Sequence, residues 1–316
     1  MTVSTTTAFS LNKRTLIETA LSMAGVRRSD NGVSADDYNH AETLLAGLLS
    51  HWQAQGLNQH QSDMVTLVLE PNVFEYKLGT TAHCTETLYE TTLAADAISG
   101  ATTITVVDAA GFAVNSVVGV FTGTAWHWTT ITVVASNSVT LAAALPVAVN
   151  NNAAVYSYAA KIPRPLRVKS AYRKELTGTN PCLTIEDREA FFQHNENATH
   201  GATVQVFYEP TRDVAGKFYV FPMPSSNSPS KLLLHVQRPA FLPQANADTL
   251  DIPQDWYLAT LYNLAAHCVI HWNKSNKNAD DIRMKAAELY DEMRSADTEL
   301  DTHITFNPPM VNGLYY

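Results

Sequence analysis

Between Thr92 and Tyr158 the chain carries only two charged side chains, Asp96 and Asp108, and it repeats the hexapeptide TTITVV without change at Thr102–Val107 and Thr129–Val134. The flanking segments are charged and show helical spacing. Within the charge-poor block, alternating apolar runs fall at Ile104–Val107, Val117–Phe121, Trp126–Val134, Ser138–Leu141 and Val155–Tyr158. Turn residues separate them at Gly123-Thr124, Ser136-Asn137 and Asn150–Asn152. Short runs broken by turns about every 8–12 residues predict a small all-β barrel or sandwich. Its composition predicts an insertion, residues 92–158, into a different host chain. Such an insertion decorates a scaffold, so function is sought in the host.

The 316 residues suffice for one large domain or two to three ordinary ones. Charged residues make up 16%, below the ~25% usual in soluble domains. The net charge of −9 argues against a protein that grips nucleic-acid phosphates, which needs a basic patch. It leaves room for one that surrounds DNA without gripping it. The opening MTVSTTTAFSLNK has no signal-peptide pattern, and no apolar run approaches the ~18 residues of a membrane span. Cys84, Cys182 and Cys268 are far apart and odd in number, which fits reduced, packed thiols.

The host opens with two predicted helices. Leu16, Ile17, Ala20, Leu21 and Ala24 form one apolar stripe ended by Gly25. Ser34 caps the next helix, with Asp37 three residues on. Its stripe is Tyr38, Ala41, Leu44, Leu45, Leu48, Leu49 and Trp52, and Gly56 ends it. Met64–Leu78 alternates around Pro71-Asn72 and reads as a hairpin. Strands are predicted at Arg167–Tyr172, Val204–Tyr208, Lys217–Phe221 and Leu232–Gln237, and a short helix at Thr184–Phe192 with Thr184 as its cap. Pro253 opens a long helix with its stripe running from Trp256 to Trp272, and a second follows from about Ala279 to Leu300. The fold class expected is α+β: a mainly α-helical core with a small β-sheet, plus the inserted β-module. The core is assigned to residues 1–91 and 159–301. Residues 302–316 contain Pro308-Pro309, no charge apart from His303, and the ending GLYY, which predicts an extended tail.

No nucleotide, hydrolase, zincin or CxxC motif occurs. His267 and His271 lie one helical turn apart, but Cys268 stands where a metalloprotease glutamate would be. Glu186, Asp187 and Glu189 could form an acid pair for glycoside hydrolysis, although a solvated helix face explains them more simply. No catalytic residue, metal site or cofactor is therefore assigned. Trp126 and Trp128 flank His127 on a strand and share one face. They fill the module's core or, on the sharper reading, form an aromatic platform for a sugar or a neighbouring subunit.

Four host segments carry a resemblance. They are TLIETALSMAGV with LLAGLLSHWQAQGL, FYVFPMP at Phe218–Pro224, LDIPQDWYLATLYNLAAH at Leu250–His267, and an acidic last helix with a polar tail. In this order they resemble the head-to-tail adaptor of short-tailed bacteriophages, also called the tail accessory factor or packaged-DNA stabilisation protein. The resemblance covers most of residues 10–91 and 159–301, and the β-module has no counterpart in it.

It implies a non-enzymatic virion protein at the head-to-tail junction, made in the bacterial host cytoplasm. Such a protein forms a dodecameric ring below the portal protein, extends the DNA channel, retains the packaged genome and offers a platform to downstream tail or nozzle proteins. Double-stranded DNA would pass through without sequence-specific binding, and no membrane anchor is implied. The tail residues Phe306, Pro308, Pro309, Leu314, Tyr315 and Tyr316 would then bind the portal or an adjacent subunit, and Trp126 and Trp128 would form a β-module surface. The alternatives are a neck or tail decoration protein whose β-module holds carbohydrate, and a cell-wall hydrolase.

Overall fold

A computed structural model describes residues 12–26, 32–57, 61–174, 180–193, 199–225, 229–241, 250–273 and 278–297. The chain divides into two compact units, residues 1–60 with 240–316, and residues 61–239.

The first unit is helical. Helix α1 (Lys13–Met23) is capped by Asn12, whose side chain accepts from the Arg14 amide. Helix α2 (Ala35–Ala54) is capped by Ser34, whose Oγ accepts from Asp37 N and donates to Asp37 Oδ2. Both helices end alike. Gly25 and Gly56 take positive φ, and the next amides return to Leu21 and Trp52 carbonyls, a glycine-terminated C-cap. A 3-10 turn at Gln254–Trp256 leads into a long helix, Tyr257–His271, and the last helix runs from Ala279 to Ala296. Tyr257–His271 is the centre of this unit, with eight buried side chains, because apolar residues lie on most of its circumference. Trp52 meets Trp256 edge-on, with centroids 6.4 Å apart. The Trp272 indole donates to Asp37 Oδ1 at 3.0 Å.

The second unit is built from strands: β1 (Ser62–Leu69), β2 (Glu75–Leu78), β3 (Cys84–Thr85), β4 (Tyr89–Thr92), β5 (Thr103–Thr105), β6 (Val117–Phe121), β7 (Trp126–Ala135), β8 (Ser138–Leu141), β9 (Ala154–Tyr158), β10 (Arg167–Lys174), β11 (Cys182–Ile185), β12 (Gln205–Glu209), β13 (Gly216–Phe221) and β14 (Ser230–Gln237). One short helix, α3 (Arg188–Phe192), interrupts them, so Tyr257–His271 is α4 and Ala279–Ala296 is α5. The host sheet has eight strands in the order β2-β13-β12-β11-β10-β14-β1-β3, and the second sheet has six in the order β4-β9-β6-β7-β8-β5. Of the pairings, β11 with β12 is parallel and the others are antiparallel.

These sheets overturn the expected fold class. Strands dominate, and the host is not a mainly helical core with a small sheet. The physical reason is range. A helix displays its whole stripe locally, whereas β1 gains most of its ladder from β14, far along the chain. Met64–Leu78 is likewise not a hairpin: β1 pairs with β14 and β3, while β2 pairs with β13. Thr184 is a strand residue and not a cap. Asp187 caps α3, its carboxylate accepting from Ala190 N at 2.8 Å.

The six-stranded sheet curls nearly shut. Beyond the last strand pairs, Leu93 bridges Val106, Ala94 N donates to Thr105 O and Val107 N to Thr92 O. Closure leaves little open edge for pairing with another chain. The barrel's core includes Ile104, Val106, Val118, Val120, Ile131 and Val155. The repeated hexapeptide is used in two ways. In the first copy, Ile104 on β5 and Val106 just beyond it both point inward, with Val106 fully buried. On β7 a bulge between Ile131 and Val133 turns Val133 outward, to 51% exposure.

Candidate interaction surfaces

The barrel's outer wall carries an aromatic strip. Register places Trp126 beside Phe121, Trp128 beside Gly119, and Gly119 beside Tyr156. Gly119 is what lets the rings lie flat. A Cβ there would sit 2.4 Å from the Trp128 ring. Trp126 then packs on Tyr156 at 4.7 Å and on Trp128 at 5.2 Å.

This strip faces the host sheet. Trp128 stacks on His83, with centroids 3.7 Å apart and planes 8° from parallel. The Trp126 indole donates to the Leu69 carbonyl at 3.2 Å, and His83 Nδ1 lies 2.7 Å from the Tyr158 hydroxyl. A charged cluster closes the same seam. On β4, Glu90 pairs with Lys174 at 3.0 Å and with the buried Lys231. The Lys231 ammonium sits 4.6 Å above the Tyr156 ring, a cation–π contact.

Burial sets the charge states here. It pushes His83 down to about 3, with Lys161 adding to the shift, so the imidazole is neutral at physiological pH. Burial raises Glu70, whose carboxylate lies 3.8 Å from His83 Nε2. Burial would also raise Glu90, but the hydrogen bonds from Lys231 and Lys174 prevail and hold it below the usual carboxylate range. The Cys84 thiol is pushed up by burial, as is that of Cys268, to about 12. Neither thiol is poised as a nucleophile.

Trp126 and Trp128 thus sit together, outside the barrel's own core, with their faces against His83, Tyr156 and Tyr158. Sequence reasoning missed His83, Glu70, Glu90 and Lys231. The one available signal was the matching alternation of Tyr156-Ser157-Tyr158 and Trp126-His127-Trp128. The tail residues Phe306, Pro308, Pro309, Leu314, Tyr315 and Tyr316 lie outside the described residues.

On the helical unit, two grooves border α5. One, about 610 Å³, is lined by Met23, Tyr262, Ile282 and Met284 with Asp281, Lys285 and Glu288. The other, about 520 Å³, lies between the start of α4 and the end of α5, where Trp256, Leu289, Met293 and Ala296 line it. Among the described residues no group of three or more His, Cys, Asp or Glu could hold a metal ion. No described helix is long and apolar enough to cross a membrane. Asp187 serves α3 as its cap, and Glu186 accepts from Gln205 at 3.4 Å. No curated protein matches the chain. The family model described as SU10 adaptor protein matches residues 87–311. That range runs through the barrel and leaves out α1 and α2, on which the sequence resemblance partly rested.

Proposed function

The chain belongs to the SU10 adaptor protein family, a family of bacteriophage structural proteins, and from that premise we propose that it is the head-to-tail connector of a short-tailed phage. In this reading it assembles as a ring, expected to be dodecameric, below the portal protein. It prolongs the DNA channel, retains the packaged genome and presents a platform to downstream tail or nozzle proteins. The family match carries the proposal.

Physical features support it. A ring of subunits with net charge −9 each offers few binding sites to passing DNA. Like subunits joined by heterologous contacts close into a ring where the rotation between neighbours closes. Residues Phe306, Pro308, Pro309, Leu314, Tyr315 and Tyr316 are proposed to engage the portal or an adjacent subunit. The carbohydrate reading of the β-module is less favoured, because Trp126 and Trp128 are already engaged with Leu69 and His83.

The test is a phage carrying a stop codon early in this gene. DNA-filled heads that lack tails and lose their genome are expected. Complete, infectious particles would overturn the assignment.

A further inference from the structure

We propose that His40 and His271 form a site for a divalent transition-metal ion of the imidazole-preferring class, zinc, nickel or copper, which ties α2 to the end of α4. The two rings come from different helices, yet their centroids lie 5.5 Å apart with planes at 59°. An ion ~2.1 Å from one nitrogen of each ring sits roughly 3.2 Å from each centroid, which puts the centroids about 4.5 Å apart at a right angle and about 5.5 Å apart at 120°. The observed separation therefore fits one shared ion with the helices where they are. Both side chains are exposed, so an ion can reach them. Two imidazoles leave its other coordination positions to solvent, which makes this an open, exchanging site.

The surroundings hold the pair and suit a cation. Trp272 meets His271 edge-on at 4.5 Å and lies 6.4 Å from His40, and its indole is fixed by the bond to Asp37 Oδ1. Asp37 Oδ2 accepts from Ser34 Oγ, so this carboxylate orients Trp272 and is not a ligand. Asp36 and Asp37 offset the positive end of α2, and α4 ends at His271, where its carbonyl end favours a cation. Imidazole suits zinc, nickel and copper, whereas magnesium and calcium take oxygen ligands. The spacing of His267 and His271 names a pair within one helix. The partner the fold brings to His271 is His40, which that spacing does not reveal.

The test uses the full chain without an affinity tag. Isothermal titration should show binding of zinc chloride and none of magnesium chloride. His40→Ala and His271→Ala should each weaken zinc binding by about tenfold or more, since even an outer-shell partner is worth that much. His267→Ala should leave it unchanged. All three positions are exposed, so the far-UV circular dichroism should match the parent's. Pulsed electron paramagnetic resonance of the copper(II)-loaded chain should show two bound imidazoles in the parent and one in either His40→Ala or His271→Ala. Absence of zinc binding, binding that survives both substitutions (an adventitious ion only), a single imidazole in the parent, or a loss with His267→Ala would each overturn the proposal.

Discussion

Trp128 lies flat on His83, 3.7 Å between centroids, and this stack joins the barrel to the eight-stranded sheet. Trp128 lies on β7 of the barrel and His83 immediately before β3 of the eight-stranded sheet, so their contact reports docking and not local folding. A double-mutant cycle with Trp128→Leu and His83→Leu should give a coupling energy of about 0.5–1.5 kcal/mol, the range for ring pairs. Urea unfolding measures it. Strict additivity would mean that the stack does not join the two sheets energetically.

The same histidine gives a pH dependence of known sign. Its folded pKa, about 3, is depressed below the unfolded value of ~6.5, so the unfolded chain binds the proton first. The stability from a neutral, stacked His83 is complete above pH ~6.5 and is lost as pH falls toward 3, by at most ~1.4 kcal/mol per pH unit. Glu70, raised by burial, works in the opposite sense, so the comparison must isolate His83. The stability gap between the parent chain and His83→Gln should narrow from pH 7 to pH 4. A constant gap would place His83 in a solvated site, and a widening one would mean that the fold favours its protonated form.

Among the described residues, Glu90 is the carboxylate that pairs with Lys231. Glu90→Gln should destabilise by about 1–3 kcal/mol, because a buried cation then loses its partner; the partial exposure of Glu90 keeps the figure below that of a fully buried pair. Adding Lys231→Met should recover most of the loss. A double variant less stable than Glu90→Gln alone would show that Lys231 has other support.

In the helical unit, Trp52 is 3% exposed and Trp256 8%. Trp52→Ala should cost ~3–5 kcal/mol, with Trp256→Ala toward the lower end because that ring also walls a groove. Thermal unfolding of the two variants decides. A cost below ~1 kcal/mol for Trp52 would place it on a surface.

Helices α1 and α2 were legible because stripe, cap and stop are local: Ser34, Asp37 and Gly56 do in the fold what their positions imply. Strands β6, β7, β8, β12 and β13 were legible from alternation. Their assembly was not. Nothing near Ser62–Leu69 names Ser230–Gln237 as its partner, and the pattern around Pro71-Asn72 suggests a hairpin that does not form. The seam was hidden for a related reason. Trp126 and Trp128 announce an apolar face, but what covers it is set by His83 and Leu69, which are neighbours only after the sheets dock.

We propose that this adaptor seats on a portal as a ring. The direct measurement is native mass spectrometry of the purified full chain, alone and after mixing with portal protein from the same phage. One complex with twelve copies of this chain on each portal ring is expected, formed only when portal is present. Persistent absence of any complex, or scattered binding without a fixed number of copies, would contradict it.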